Sequence, residues 1–117
     1  MKISSYFDRS EFACQCGCGF DTVDAELIVV LTALREHFNT PVTITSASRC
    51  AKHNANVGGS PKSQHLLGRA ADIVVKDVSP SEVYDYLDST YPDQYGMGKY
   101  DSFTHIDTRG VKTRWGG

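Results

Sequence analysis

Ten residues, Ser63-Gln64-His65-Leu66-Leu67-Gly68-Arg69-Ala70-Ala71-Asp72, constrain this chain more than any other stretch. A histidine and an aspartate stand seven residues apart, with one glycine and two alanines between them. Gly68 permits a turn, and the small side chains at 70 and 71 let Asp72 come in close as the chain enters a strand. A second imidazole, His105, sits in Phe103-Thr104-His105-Ile106-Asp107, where a short apolar strand is expected. Two imidazoles and one carboxylate around an open fourth position form a ligand set suited to catalytic zinc. Taken alone, a His…Asp pair at this spacing is more often a surface or structural polar feature.

The rest of the chain supplies helices and strands around these two segments. Leu27, Val30, Leu31, Leu34 and Phe38 recur at three- and four-residue steps and predict a helix over about 24–38. Asp21, Thr22 and Asp24 are able to cap it, and Asn39-Thr40-Pro41 stops it. His37, in its last turn, reads as structural, because a partly charged imidazole suits that end of the helix dipole. Ser10-Glu11-Phe12 is a candidate short helical turn.

Pro41–Ser46 reads as a strand rich in β-branched residues, leading into Ala47-Ser48-Arg49-Cys50. Residues 51–64 hold two asparagines, two glycines and a proline with almost no apolar periodicity, and predict a long loop. His53 falls in it and reads as a bracing or solvent-facing residue. Strands are expected over 69–75 and 103–107, with a helix over about 80–90 between them. Ser79-Pro80-Ser81-Glu82 opens that helix with a cap, a proline at the first position and a glutamate at the third. Gly96-Met97-Gly98 reads as a flexible approach to the strand, and 109–115 as a final short strand. The expectation is one α+β domain over 1–117: a small, mainly antiparallel sheet with His65, Asp72 and His105 on one face and the two helices covering the other.

With 117 residues the chain is long enough for one ordinary core. A formal charge of −2 lacks a basic footprint, so no nucleic-acid partner is expected. No apolar run reaches the length of a membrane span. The start, Met1-Lys2-Ile3-Ser4-Ser5-Tyr6-Phe7, lacks the apolar core of a secretory signal. Residues 1–20 form a cysteine-bearing segment in which Cys14, Cys16 and Cys18 alternate with Gln15 and Gly17, while Cys50 stands apart. Alternation along an extended segment would bring the three to one side. A shared metal with Cys50 as fourth ligand, a disulfide to Cys50 and free thiols all stay open, since Cys-x-Cys is not the usual zinc-knuckle spacing.

Ser63-x-His65-x-x-Gly68-x-Ala70-x-Asp72 followed by the His105-Ile106-Asp107 strand resembles the zinc D-Ala-D-Ala carboxypeptidase and peptidoglycan endopeptidase family, the peptidase M15-like enzymes. The small single-domain members of bacteria and phages are the nearer likeness. Thr45-Ser46-Ala47-Ser48-Arg49-Cys50, Asn54 and Val57-Gly58-Gly59 match that subgroup too, so the resemblance spans about Phe12 to Trp115. It implies a hedgehog/D-Ala-D-Ala peptidase-like fold and His65, Asp72 and His105 as ligands of Zn2+. Arg49 would hold or polarise a carbonyl or carboxylate of the substrate, and Ser63 would brace the loop or touch substrate. Zinc held by three protein groups keeps a fourth position for water and lowers its pKa toward neutrality, which suits hydrolysis of a peptidoglycan stem-peptide amide.

The acid/base residue departs from the pattern. Related enzymes often carry a glutamate three residues before the last histidine or a histidine two before it, where this chain has Ser102 and Phe103. In an extended strand Asp101, His105 and Asp107 share a side. Asp101 is therefore the first choice for the catalytic carboxylate, and Asp107 the second, unless Asp107 orients a ligand or pairs with Arg49 or Arg109. The departure keeps a second class open: a zinc-bearing wall-binding or signalling module of the same fold without efficient catalysis. The chain is expected to act as a monomer, made in the cytoplasm and brought to the wall by other means, such as a phage holin or tail.

Overall fold

A computed structural model describes residues 2–60 and 63–116. Helix α1 (Ala25–Phe38) leads to strand β1 (Val42–Ser46), a short helix α2 (Ala51–Asn56) and β2 (Ala70–Val75). Helix α3 (Pro80–Thr90), β3 (Gly96–Lys99), β4 (Thr104–Asp107) and β5 (Thr113–Gly116) complete the chain. The five strands form one sheet in the order β1-β2-β4-β3-β5, antiparallel except for the parallel β3–β5 pair. The architecture is the expected α+β fold.

The helices follow from local chemistry. Asp24 caps α1 by accepting from the Leu27 amide, and Asn39 ends it in the left-handed conformation just before Pro41. Ser79 caps α3 by accepting from the Glu82 amide, with Pro80 in the first turn. Leu27, Val30, Leu31 and Leu34 of α1 and Val83 and Leu87 of α3 are buried in one cluster with Ala71, Ile73, Val75, Met97 and Ile106 of the sheet. Those sheet residues alternate with Ala70, Asp72, His105 and Asp107, so one face builds the core and the other stays polar. His37 stacks on Tyr86 with ring centroids 4.0 Å apart, which ties the end of α1 to α3.

Two segments differ from expectation. Residues 51–56 are helical rather than loop, because the Cys50 sulfur accepts from the His53 amide and starts a turn that no apolar stripe announces. Gly96–Lys99 is a strand rather than a flexible approach. A Cβ at Gly96 would come within 2.4 Å of the Asp107 carboxylate, and one at Gly98 within 2.5 Å of the Trp115 indole nitrogen. These glycines make room on the polar face while their backbones pair with β4 and β5. The final strand also starts at Thr113, later than position 109.

Candidate active site

Strand register builds the centre of the site. Asp72 on β2 lies directly opposite His105 on β4, so their side chains emerge side by side from the polar face. His65 arrives from a 3-10 turn, Gln64–Leu67, that begins at Ser63, whose hydroxyl accepts from the His65 amide at 3.2 Å. Gly68 ends that turn at φ 69°, and a Cβ there would strike the Thr22 carbonyl. The Asp24 amide donates to the Gly68 carbonyl, and Thr108 donates to the Asp24 carboxylate, so the cap of α1 fastens both site-bearing segments.

His65, Asp72 and His105 are all buried and each presents one ligand atom within 4.8 Å of the others. His105 Nδ1 lies 2.9 Å and His65 Nε2 3.4 Å from the same oxygen, Asp72 Oδ1. Zinc with bonds of about 2 Å has tetrahedral edges of about 3.3 Å, so the donor set fits such an ion. The outward nitrogens are occupied as well. His65 Nδ1 is 2.6 Å from the Ala47 carbonyl, and His105 Nε2 is 2.7 Å from Asp107 Oδ2. With an ion bound, the protons would sit on these outer nitrogens and leave His65 Nε2 and His105 Nδ1 to ligate; without one, both of those nitrogens face the Asp72 carboxylate.

Asp107 is fully buried and meets Arg109 through two bonds of 2.8 Å. Arg49 sits 3.5 Å from Asp72 Oδ2 and is braced at 3.3 Å by Ser46 and by Asn54. Burial pushes the Asp72 and Asp107 carboxyls up. The hydrogen bond from His105, with those from His65 to Asp72 and from Arg109 to Asp107, overrides it and holds both well below the usual carboxylate range. Burial lowers the His105 pKa, and Asp107 and Asp72 together raise it above its ordinary value.

The signs set a pH window for protein stripped of metal. A depressed carboxyl stabilises above its unfolded pKa near 4 and loses that contribution as pH falls through the folded value. A raised imidazole stabilises below its unfolded pKa near 6.5 and loses that contribution as pH rises through the folded value. Chelator-treated protein is therefore expected to melt highest between about pH 4 and 6.5. Thermal melts across that range and beyond it check this, and an unchanged Tm on the alkaline side would mean that His105 does not titrate between its two carboxylates.

A cavity of about 580 Å³ opens onto the three residues. Arg49, Ser63, Gln64 and Arg109 line it, with Tyr100, Phe103 and Trp115 as an aromatic wall. The wall is tied together: Tyr100 stacks on Phe103, the Trp115 indole donates to the Tyr100 hydroxyl at 2.8 Å, and Arg109 lies over the Trp115 ring. Asp101 is elsewhere. It is exposed in a bend before β4 and lines a separate depression with Ser79, Pro80, Ser81 and Lys99. Asp72 is the one carboxylate among the described residues lining the main cavity. His53 lies in α2 and is not part of the lining.

The structure thus brings together Arg49, Ser63, His65, Asp72, His105 and Asp107, and keeps Asp101 apart. Sequence reasoning missed the Ala47 carbonyl, the Asn54 brace and the wall of Tyr100 and Trp115. Two glycines placed two apart in β3 were the available signal for the wall, since they mark where large neighbours must cross. No helix among the described residues is long and apolar enough to span a membrane. No curated protein matches the chain. The family model described as peptidase M15 matches residues 5–107, nearly the whole chain and every residue of the histidine–aspartate centre, and the chain belongs to that peptidase family.

Proposed function

We propose that this chain is a zinc-dependent peptidase that hydrolyses an amide bond in the peptidoglycan stem peptide, as a D-Ala-D-Ala carboxypeptidase or as an endopeptidase of the endolysin type. The observation that carries the reading is the pair of imidazoles whose outward nitrogens meet Ala47 and Asp107 while the other two nitrogens converge on one Asp72 oxygen. His65, Asp72 and His105 hold the ion in this reading. Zinc there supplies Lewis-acid polarisation of a carbonyl and a lowered pKa for the attacking water. Asp107 keeps His105 in the ligating tautomer, and Arg109 keeps Asp107 charged.

Arg49 grips a carboxylate or carbonyl beside the scissile bond with a fork already steadied by Asn54 and Ser46. Gln64 also lines the cavity, and its buried side-chain oxygen has no hydrogen-bond partner among the described residues. Asp101 passes the proton to the leaving amine, a role that requires the β3–β4 turn to bring its carboxylate toward the cavity.

The second reading, a zinc-bearing wall-binding or signalling module without efficient catalysis, is favoured by the lack of a second carboxylate lining the cavity among the described residues. Mass spectrometry of muropeptides digested with the zinc-loaded protein separates the two. Loss of a terminal alanine identifies the carboxypeptidase, and internal cleavage the endopeptidase. Binding with every muropeptide left intact defeats the peptidase reading in favour of the module.

A further inference from the structure

We propose that Cys14, Cys16, Cys18 and Cys50 hold a structural zinc ion, separate from the histidine site, that fastens the N-terminal loop to the arm carrying Arg49. The four sulfurs all lie within 4.8 Å of one another. Three of their separations are 3.4 Å (Cys14–Cys16), 3.6 Å (Cys16–Cys50) and 3.8 Å (Cys14–Cys50). Zinc–sulfur bonds of about 2.3 Å give a tetrahedron with edges of about 3.8 Å, so the cage needs little adjustment to close.

The backbone is arranged for thiolates. The Cys50 amide points at the Cys14 sulfur and the His53 amide at the Cys50 sulfur, each at 3.4 Å. Such amides stabilise negative charge on sulfur. The loop is not the extended run that alternation suggested. The Gly17 amide donates to the Cys14 carbonyl at 3.2 Å, and Gly17 takes φ 81°. The Cys14 amide donates back from the far end of the loop to the Phe20 carbonyl at 2.7 Å. A curled loop lets cysteines at alternate positions converge on one point.

The site also answers a packing problem. Residues 15–19 are all exposed, so no apolar burial holds this loop down. Its attachments are polar: the Gln15 side chain donates to the Thr45 carbonyl, and the Ser48 amide to the Phe12 carbonyl. Cys50 is the neighbour of Arg49 and caps α2, which carries the Asn54 brace of Arg49. A metal bound by Cys50 would fix that arm as well as the loop.

Metal analysis of native protein purified under reducing conditions tests this. Wild type is expected to carry about two zinc equivalents, and Cys16→Ser/Cys18→Ser and His65→Ala/His105→Ala about one each. Cobalt substituted into the His65→Ala/His105→Ala variant should show thiolate-to-metal charge transfer in the near ultraviolet. That readout does not depend on the cysteine variant folding. One equivalent in wild type and none in the histidine variant would overturn the proposal. Four titratable thiols in denaturant would then mean a free cluster, and fewer would mean a disulfide.

Discussion

Asp72→Ala and His105→Ala are each expected to lose metal and peptide hydrolysis together, with turnover falling by more than about 10³-fold. Losing a single oxyanion donor costs about 10²–10³ in rate, and removing the ion takes away both the oxyanion stabilisation and the activated water. The fold should survive for a reason visible in the charge pairing. In His105→Ala each carboxylate that loses the imidazole keeps a guanidinium: Asp72 keeps Arg49, and Asp107 keeps Arg109. In Asp72→Ala the core on the opposite face of the sheet, built by Ile73, Val75, Ile106 and the two longer helices, is untouched. Far-ultraviolet circular dichroism should therefore match wild type. A folded, metal-depleted His105→Ala variant that still cleaves peptide would sink the metal-dependent reading.

The helices were legible because their signals are local. A stripe at three- and four-residue steps needs no knowledge of partners, and Ser79-Pro80 with Glu82 marks a start by capping chemistry alone. The centre of the site was legible in part: a turn glycine and two alanines between His65 and Asp72 permit a close approach, while the pairing that sets Asp72 opposite His105 is a matter of register. What escaped was set by register. Gly96 and Gly98 looked like flexibility, yet each lies across from a large group, Asp107 and Trp115, that only the paired sheet brings there. The placement of Asp101 rested on alternation running unbroken from 101 to 107. The strand begins at Thr104, and the bend before it turns Asp101 out of phase with His105. Helix α2 was hidden because six polar and small residues capped by a cysteine carry no stripe.

Asp107→Asn and Asp101→Asn are expected to fail in different ways, and the difference assigns the two carboxylates. Asp107 accepts from His105 Nε2 and is held by Arg109, fully buried, with no oxygen turned to the cavity lining. An asparagine there loses the charge that Arg109 pairs with, and its amide offers a donor where His105 needs an acceptor. The imidazole then gains reason to move its proton to Nδ1, the nitrogen that faces Asp72. Loss of such an orienting partner typically costs about 10–100-fold in metal affinity. Activity of Asp107→Asn should therefore drop at limiting zinc and recover at saturating zinc. Asp101 touches none of the three proposed ligands, so Asp101→Asn should keep wild-type zinc affinity and lose turnover by about 10²-fold or more, as removal of a general acid/base does. Zinc titrations of activity for both variants read this directly. If Asp107→Asn stays inactive when fully loaded while Asp101→Asn is unimpaired, Asp107 carries the proton. If Asp101→Asn is unimpaired and Asp107→Asn is rescued by zinc, the proton role passes to Tyr100. Tyr100 lines the cavity, and its hydroxyl already accepts from Trp115, leaving its own proton to give, so Tyr100→Phe should then carry the loss.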